Sequence, residues 1–202
     1  YNGTSFSATP NSLNTARDQL SGGGTQTSAL AVGGRTSSAV VTNMEEWNGS
    51  SWSNLTALPE KRGYTNANGP ETAFFMASGA LGDNAGAPYT TATLNYDGTS
   101  VSTGSTVNTG RSAGGAAGDS ANAIFYGGDI SGTSQTKTEK YDGTSWSEIA
   151  DMAVAKRGSG AGGGTSNAAA LSAGAYGPPA SAATEEFTSS TNTITAAAWT
   201  SG

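Results

Sequence analysis

The sequence predicts an all-β protein assembled from one antiparallel module written repeatedly, and three observations carry this. The first is composition: of 202 residues only 35% are hydrophobic and 12% charged, while 30 are glycine. Disordered chains usually combine high net charge with few aromatics. Here the net charge is only −6 and the aromatics recur at fixed intervals. The second is patterning: apolar runs are short and bounded by Gly, Asn and Asp, and no 3.6-residue apolar period is sustained. The third is a recurring hexapeptide, an aromatic followed by a turn: YNGTSF at Tyr1, WNGSSW at Trp47, YDGTSV at Tyr96 and YDGTSW at Tyr141, with a degenerate copy at Phe187.

Three markers share one period. The first aromatic of the hexapeptide advances by 46, 49, 45 and 46 residues. Arg17, Arg62, Arg111 and Arg157, four of the five arginines, advance by 45, 49 and 46. A small-Gly pair closes an apolar run at Gly33-Gly34, Ser78-Gly79, Gly127-Gly128 and Ala173-Gly174, its second Gly advancing by 45, 49 and 46. The chain therefore divides into one domain over residues 1–202, with a partial module or closing strand at 1–17 and modules at 18–62, 63–111, 112–157 and 158–202.

The copy from Arg111 to Arg157 shows the module most clearly. A small, Gly-rich first strand is expected around Ala113 to Ala117, ended by a turn at Asp119-Ser120. The second strand, Ala123 to Tyr126, is apolar and stops at Gly127-Gly128. A polar loop leads to the third, Thr136 to Tyr141. Asp142-Gly143 is expected to form a two-residue hairpin turn, because Gly supplies the positive φ such turns require. The fourth strand runs from Trp146 through Ile149. A lone four-stranded module of this length cannot bury both of its faces, whereas modules stacked around an axis can, which makes the expected architecture a β-propeller of four four-stranded blades, or a segment of a longer array.

Gly127-Gly128, Tyr141-Asp142 and Trp146 match, in order and spacing, the kelch repeat, which the chain resembles over nearly its whole length. Gly33-Gly34, Trp47 and Trp52 match nearly as well. The second copy has Val101 in the Trp slot, and the fourth lacks the Asp-Gly turn, with Trp199 twelve residues after Phe187. The segments LNTARDQLSGGGTQTSALAVGG, TEKYDGTSW and ATEEF further resemble the Ala/Gly/Thr-rich kelch-like arrays of structural proteins in tailed, especially marine, bacteriophages. The resemblance implies a fold more than a function, because one fold hosts many activities.

The sequence closes several function classes. It has no Cys and no His, which removes thiol nucleophiles, disulfides, Ser-His triads and imidazole metal ligands. The kelch-like copper oxidases need such ligands. No apolar run reaches membrane-spanning length, and nine scattered basic residues make no nucleic-acid footprint. No calcium loop is written, although Asp83, Asp119 and Asp129 could contribute to a cation site. No pair of carboxylates is singled out for glycoside hydrolysis. No metal and no cofactor is expected. The glycosylation triplets at Asn2, Asn48 and Asn54 largely coincide with the turns themselves.

The repeated arginines have two readings: a ring of guanidinium groups around a channel, or ion pairs with the Glu two residues before each aromatic (Glu45, Glu139, Glu185). Recurrence in every module favours the structural reading, with Arg62 left without a partner because Leu94 occupies that slot. The aromatics Trp47, Trp52, Tyr96, Tyr141, Trp146 and Phe187 are likewise assigned to packing between modules rather than to sugar stacking. Departures from the repeat point to binding. The loop Ala80 to Asn95 is four residues longer than its counterparts and carries Asp83 and Tyr89, and the loop of the last module carries Tyr176. Loops on a rigid scaffold are where binding concentrates.

The expected function is that of a non-enzymatic virion or extracellular structural and adhesion protein, a phage tail fibre or appendage. Its expected partners are other virion or surface proteins and host-surface glycan, without nucleic acid or membrane insertion, and homo-oligomerisation is a further expectation. An intracellular kelch-type scaffold is the alternative, and a secreted carbohydrate-active enzyme the third reading. The sequence begins at Tyr1 and stops three residues after Trp199, two cuts at nearly one phase of the repeat. Either the segment Phe6 to Ala16 closes the last blade or the chain is part of a longer array.

Overall fold

A computed structural model describes residues 4, 11–83, 88–158, 161–176 and 180–189. Of the hexapeptide at Tyr1 only Thr4 is among them, and Asn2, the stretch 6–10 and Trp199 lie outside the described residues. The architecture is all-β and antiparallel. One sheet holds β1 (Ser21–Gly24), β2 (Ala29–Val32), β3 (Met44–Trp47) and β4 (Trp52–Asn54) in sequential order. A second holds β5 (Asn66–Asn68), β6 (Phe74–Ala77), β7 (Thr93–Tyr96) and β8 (Val101–Thr103) in the same order. In the third, β9 (Gly115–Gly118) and β10 (Ala123–Tyr126) are followed by a small loop hairpin, β11 (Asp129–Ile130) with β12 (Thr133–Ser134), before β13 (Thr138–Tyr141) and β14 (Trp146–Glu148) complete the sheet. The fourth pairs β15 (Ala161–Ser166), β16 (Ala169–Ala175) and β17 (Ser181–Thr188). The one helical element among the described residues is a 3-10 turn, Glu71–Ala73. No helix among them is long and apolar enough to cross a membrane.

The second strand of each module explains how so little apolar sequence makes a core. In β6 alternate side chains serve two different cores. Phe74 and Met76 join Leu30, Val32, Met44, Leu58, Leu94 and Tyr96 against the first sheet. Phe75 and Ala77 join Ala116, Ala123, Phe125, Tyr141 and Trp146 against the third. In β10, Ala123 and Phe125 face back to the second sheet while Ile124 and Tyr126 face the fourth, with Ala170 and Phe187. A strand buried on both faces reads as a continuous apolar run, and FFMA and AIFY are such runs. Successive sheets touch through their first strands, β1 with β5, β5 with β9 and β9 with β15. Glycine is required there: a Cβ on Gly23 would lie 2.7 Å from Gly69 O and 2.9 Å from the Phe74 ring.

Just before these strands a hydrogen-bonded series crosses all four modules. Tyr64 N–H donates to Gln19 O (3.0 Å), Ala113 N–H to Tyr64 O (2.9 Å) and Gly158 N–H to Ala113 O (2.6 Å). All four residues have positive φ, between 52° and 58°.

The hairpin turn differs from the expected one by one residue. Asp142 and Ser145 face each other (N–H to O, 3.3 Å), so the central pair is Gly143-Thr144 rather than Asp142-Gly143. Only Gly143 takes positive φ, 92°. The Asp is needed for its carboxylate: Asp142 Oδ1 accepts the N–H groups of Thr144 (2.9 Å) and Ser145 (2.8 Å). Asp97 and Asn48 repeat the arrangement with Thr99 and Ser100, and with Ser50 and Ser51. That side-chain capture of two backbone donors is why the hexapeptide demands Asn or Asp at its second position.

The described part of the N-terminal segment runs along the first sheet: Asn11 donates to Ser50 O (2.6 Å) and Asn14 to Trp52 O (3.1 Å).

Candidate functional site

A basic side chain is enclosed once per module. Arg17 donates from Nε to Gly33 O (2.8 Å) and from Nη2 to Ala31 O (3.1 Å), and its Nη1 pairs with Glu45. Arg111 donates from Nε to Gly127 O (2.7 Å) and from Nη2 to Phe125 O (3.3 Å), pairs with Glu139, and lies 3.7 Å from the centre of the Phe125 ring. Each carboxylate also receives the chain entering its module: Glu45 Oε2 accepts from Asn14 N–H (2.7 Å) and Glu139 Oε2 from Asn108 N–H (2.6 Å). Burial pulls the guanidinium groups of Arg62 and Arg111 down and their carboxylate partners oppose it. For Glu45, burial pushes the carboxyl up, but Arg17 and the N–H groups of Asn14 and Thr15 together hold it below its ordinary value.

Two expectations are corrected. Arg62 does not lack a partner: Glu60, two residues before it on the incoming linker, takes the role that Leu94 cannot. In the fourth module the enclosed cation is Lys156, not Arg157. Lys156 Nζ reaches Ala183 O (2.8 Å), Ser172 O (3.4 Å) and Glu185 Oε1 (3.4 Å). The framework confirms the register, since Lys156 O accepts from Gly128 N–H (2.7 Å) as Arg111 O does from Gly79 and Arg62 O from Gly34. Aligning the Lys-Arg dipeptides at 61–62 and 156–157 hides this. The readable signal was the linker: Leu58, Val107 and Met152 each donate to the chain before the third strand, and each stands four residues ahead of the cation.

The repeat aromatics line sheet surfaces. Tyr141 and Trp146 stack with ring centres 5.0 Å apart, and Trp146 Nε1 donates to Thr93 Oγ1 of the second sheet (2.9 Å). Tyr96 is buried in the core of the first two sheets, and Phe187 packs against the last core. Trp47 and Trp52 are 5.6 Å apart on the face of the first sheet turned away from the second, since Trp47 pairs with Ala29 while Leu30 and Val32 face the second sheet.

Freed from the enclosed position, Arg157 joins the loops that follow the second strands, and those loops form a contiguous series. Asp83 Oδ1 accepts from Val40 N–H (2.9 Å) and lies 3.8 Å from Lys61 Nζ. Tyr89 Oη accepts from Ser131 N–H (2.7 Å). Asp129 pairs with Arg157 and takes Gly132 N–H on its other oxygen (3.0 Å). The guanidinium of Arg157 lies 5.0 Å from the centre of the Tyr176 ring, and Tyr176 is 68% exposed. Of the three loop residues singled out from sequence, Asp83 and Tyr89 thus tie neighbouring loops together, while Tyr176 is largely exposed beside Arg157. Asp83, Asp119 and Asp129 do not converge, and no group of three metal-ligating side chains occurs among the described residues.

Tyr176, Arg157 and Asp129 border a depression of about 640 Å³ that Tyr64, Ala113 and Gly158 complete. It opens where the positive-φ series crosses the modules. Sequence reasoning missed Tyr64, whose role follows from which neighbours the other modules bring to it. No protein-family model and no curated protein matches the chain.

Proposed function

We propose that the chain is a non-enzymatic kelch-like β-propeller, or a segment of one, that serves as a binding and spacing module on a virion appendage or outside a cell. The observation that carries this is the contiguous loop surface: four loops from four modules touch in order, through Asp83 to Val40, Tyr89 to Ser131, and Asp129 to Arg157 to Tyr176. A surface assembled from variable loops on repetitive sheets is suited to recognition. The sequential order of the sheets and their packing through Gly-rich first strands support the propeller reading. The resemblance of the module to phage structural arrays supports the location. The absence of His and Cys from the sequence supports binding without turnover.

The test is to incubate the chain with glycan arrays and with purified bacterial envelope polysaccharide. Binding with the polymer length unchanged is the expected result. Depolymerisation abolished by replacing a single carboxylate overturns the reading.

A further inference from the structure

We infer that the depression bounded by Tyr64, Tyr176, Arg157 and Asp129 is a saccharide site that takes an uncharged pyranose. The inference rests on the binding-module reading above and assigns it a location and a ligand class.

The repeat is broken at three positions around this opening. At the positive-φ position the other modules place Gln19, Ala113 and Gly158, but the second places Tyr64, at φ 52°. The conformation itself belongs to the framework, since Gln19 and Ala113 share it; what the second module alone brings to this position is an aromatic ring. At the next position, the residue following each enclosed cation, the other modules place Asp18, Gly63 and Ser112, and the fourth places Arg157. After the small-Gly pair, Arg35 and Ala80 stand where the third module has Asp129. These three departures come from three modules, and they meet at one opening together with the exposed ring of Tyr176.

The chemistry of the lining selects the ligand. Tyr176 offers a flat apolar face to the C–H groups of a sugar ring, with a hydroxyl at its edge. The guanidinium behind it is fixed at one end only, because Nη1 is committed to Asp129 while Nε is buried without a partner and no bond to Nη2 is formed among the described residues. Ring hydroxyls and the ring oxygen can accept from Nη2, which is not enclosed, whereas Nε is out of a ligand's reach. Arg157 and Asp129 cancel in charge, and the whole chain carries −6, so an anionic sugar gains no attraction and meets the Asp129 carboxylate. The volume, about 640 Å³, lies within the range of small-ligand sites and admits one or two sugar rings.

The test is saturation-transfer NMR and titration calorimetry of the whole chain with glucose, galactose, mannose, N-acetylglucosamine and their disaccharides, beside glucuronate and galacturonate, repeated with Tyr176→Ala, Tyr176→Phe and Arg157→Lys. We expect at least one neutral sugar to bind, about tenfold weaker in Tyr176→Ala and in Arg157→Lys, and nearly unchanged in Tyr176→Phe, with tenfold corresponding to about 1.4 kcal/mol. A thermal melt of each variant accompanies the titration, and Tyr176→Phe with Arg157→Lys keeps the test valid where Tyr176→Ala unfolds. Binding only to uronates, binding indifferent to all three substitutions, or no sugar binding by a chain that still captures a protein or envelope surface overturns this site and leaves the module reading standing. No binding to sugars or to any surface overturns both.

Discussion

Glu60 Oε1 lies 2.6 Å from Arg62 Nη2, so the second module closes its ion pair within three residues of one linker, where Arg111 closes its own with Glu139 from across the sheet. The two pairs differ in enclosure: both side chains are fully buried for Arg111 and Glu139, whereas Glu60 is 36% exposed. Either change leaves a fully buried guanidinium, but Glu139 also receives the Asn108 N–H (2.6 Å), whereas the half-exposed Glu60 is screened by water. We therefore expect Glu139→Gln to cost about 3–5 kcal/mol and Glu60→Gln distinctly less. Chemical denaturation of the two variants checks this, and equal losses would show that enclosure does not govern the difference.

The fourth module gives a second contrast. We expect Lys156→Met to destabilise by about 2 kcal/mol or more, because it removes the cation paired with Glu185 and the donor to two carbonyls, and Lys156→Arg to stay within about 1 kcal/mol of the parent. Thermal melts decide it. A Lys156→Met variant as stable as the parent would remove Lys156 from the framework.

Acidity acts in two directions on adjacent residues of β3. Glu45 is held below its ordinary value against the opposing effect of burial, so its contribution is present at neutral pH and is lost as pH falls through that lowered value. Glu46 is pushed above 4.5 by burial and by Glu71, which shares a proton with it and repels its charge. Its contribution is complete below that value and declines as pH rises past it. We expect Glu46→Gln to stabilise the fold at pH 7 by roughly a few tenths of a kcal/mol, read as a higher melting temperature, and to leave stability unchanged near pH 4. A gain of equal size at both pH values would show that titration is not the cause.

The close approach of the first strands makes another expectation. Gly23→Ala forces a Cβ against Gly69 O and the Phe74 ring, and we expect a loss of about 1–3 kcal/mol. An alanine in the open turn at Gly132, whose nearest neighbour is the tip of Arg157 at 3.9 Å, bears only the strain of its positive φ, 87°, and serves as the control. Gly23 itself has no positive φ, so a loss there no larger than at Gly132 would show that crowding between the first strands is not costly.

The sequence by itself determined the all-β class, the period and the limits of β10 at Ala123 and Tyr126, and it placed the Asp142 turn to within one residue. These depend on interactions a few residues apart: an apolar run long enough for one strand, and a Gly beside an Asx side chain that gathers its own backbone donors. Tertiary structure decided the rest. Which of Lys156 and Arg157 is enclosed turned on a one-residue difference in how the linker returns to the sheet. That Glu60 stands in for a missing carboxylate required the linker's path. The opening formed by Tyr64, Asp129, Arg157 and Tyr176 depends on how neighbouring sheets are set against one another. A local repeat records what each module needs for its own folding and carries no term for the contacts that loops of different modules make once those modules are packed.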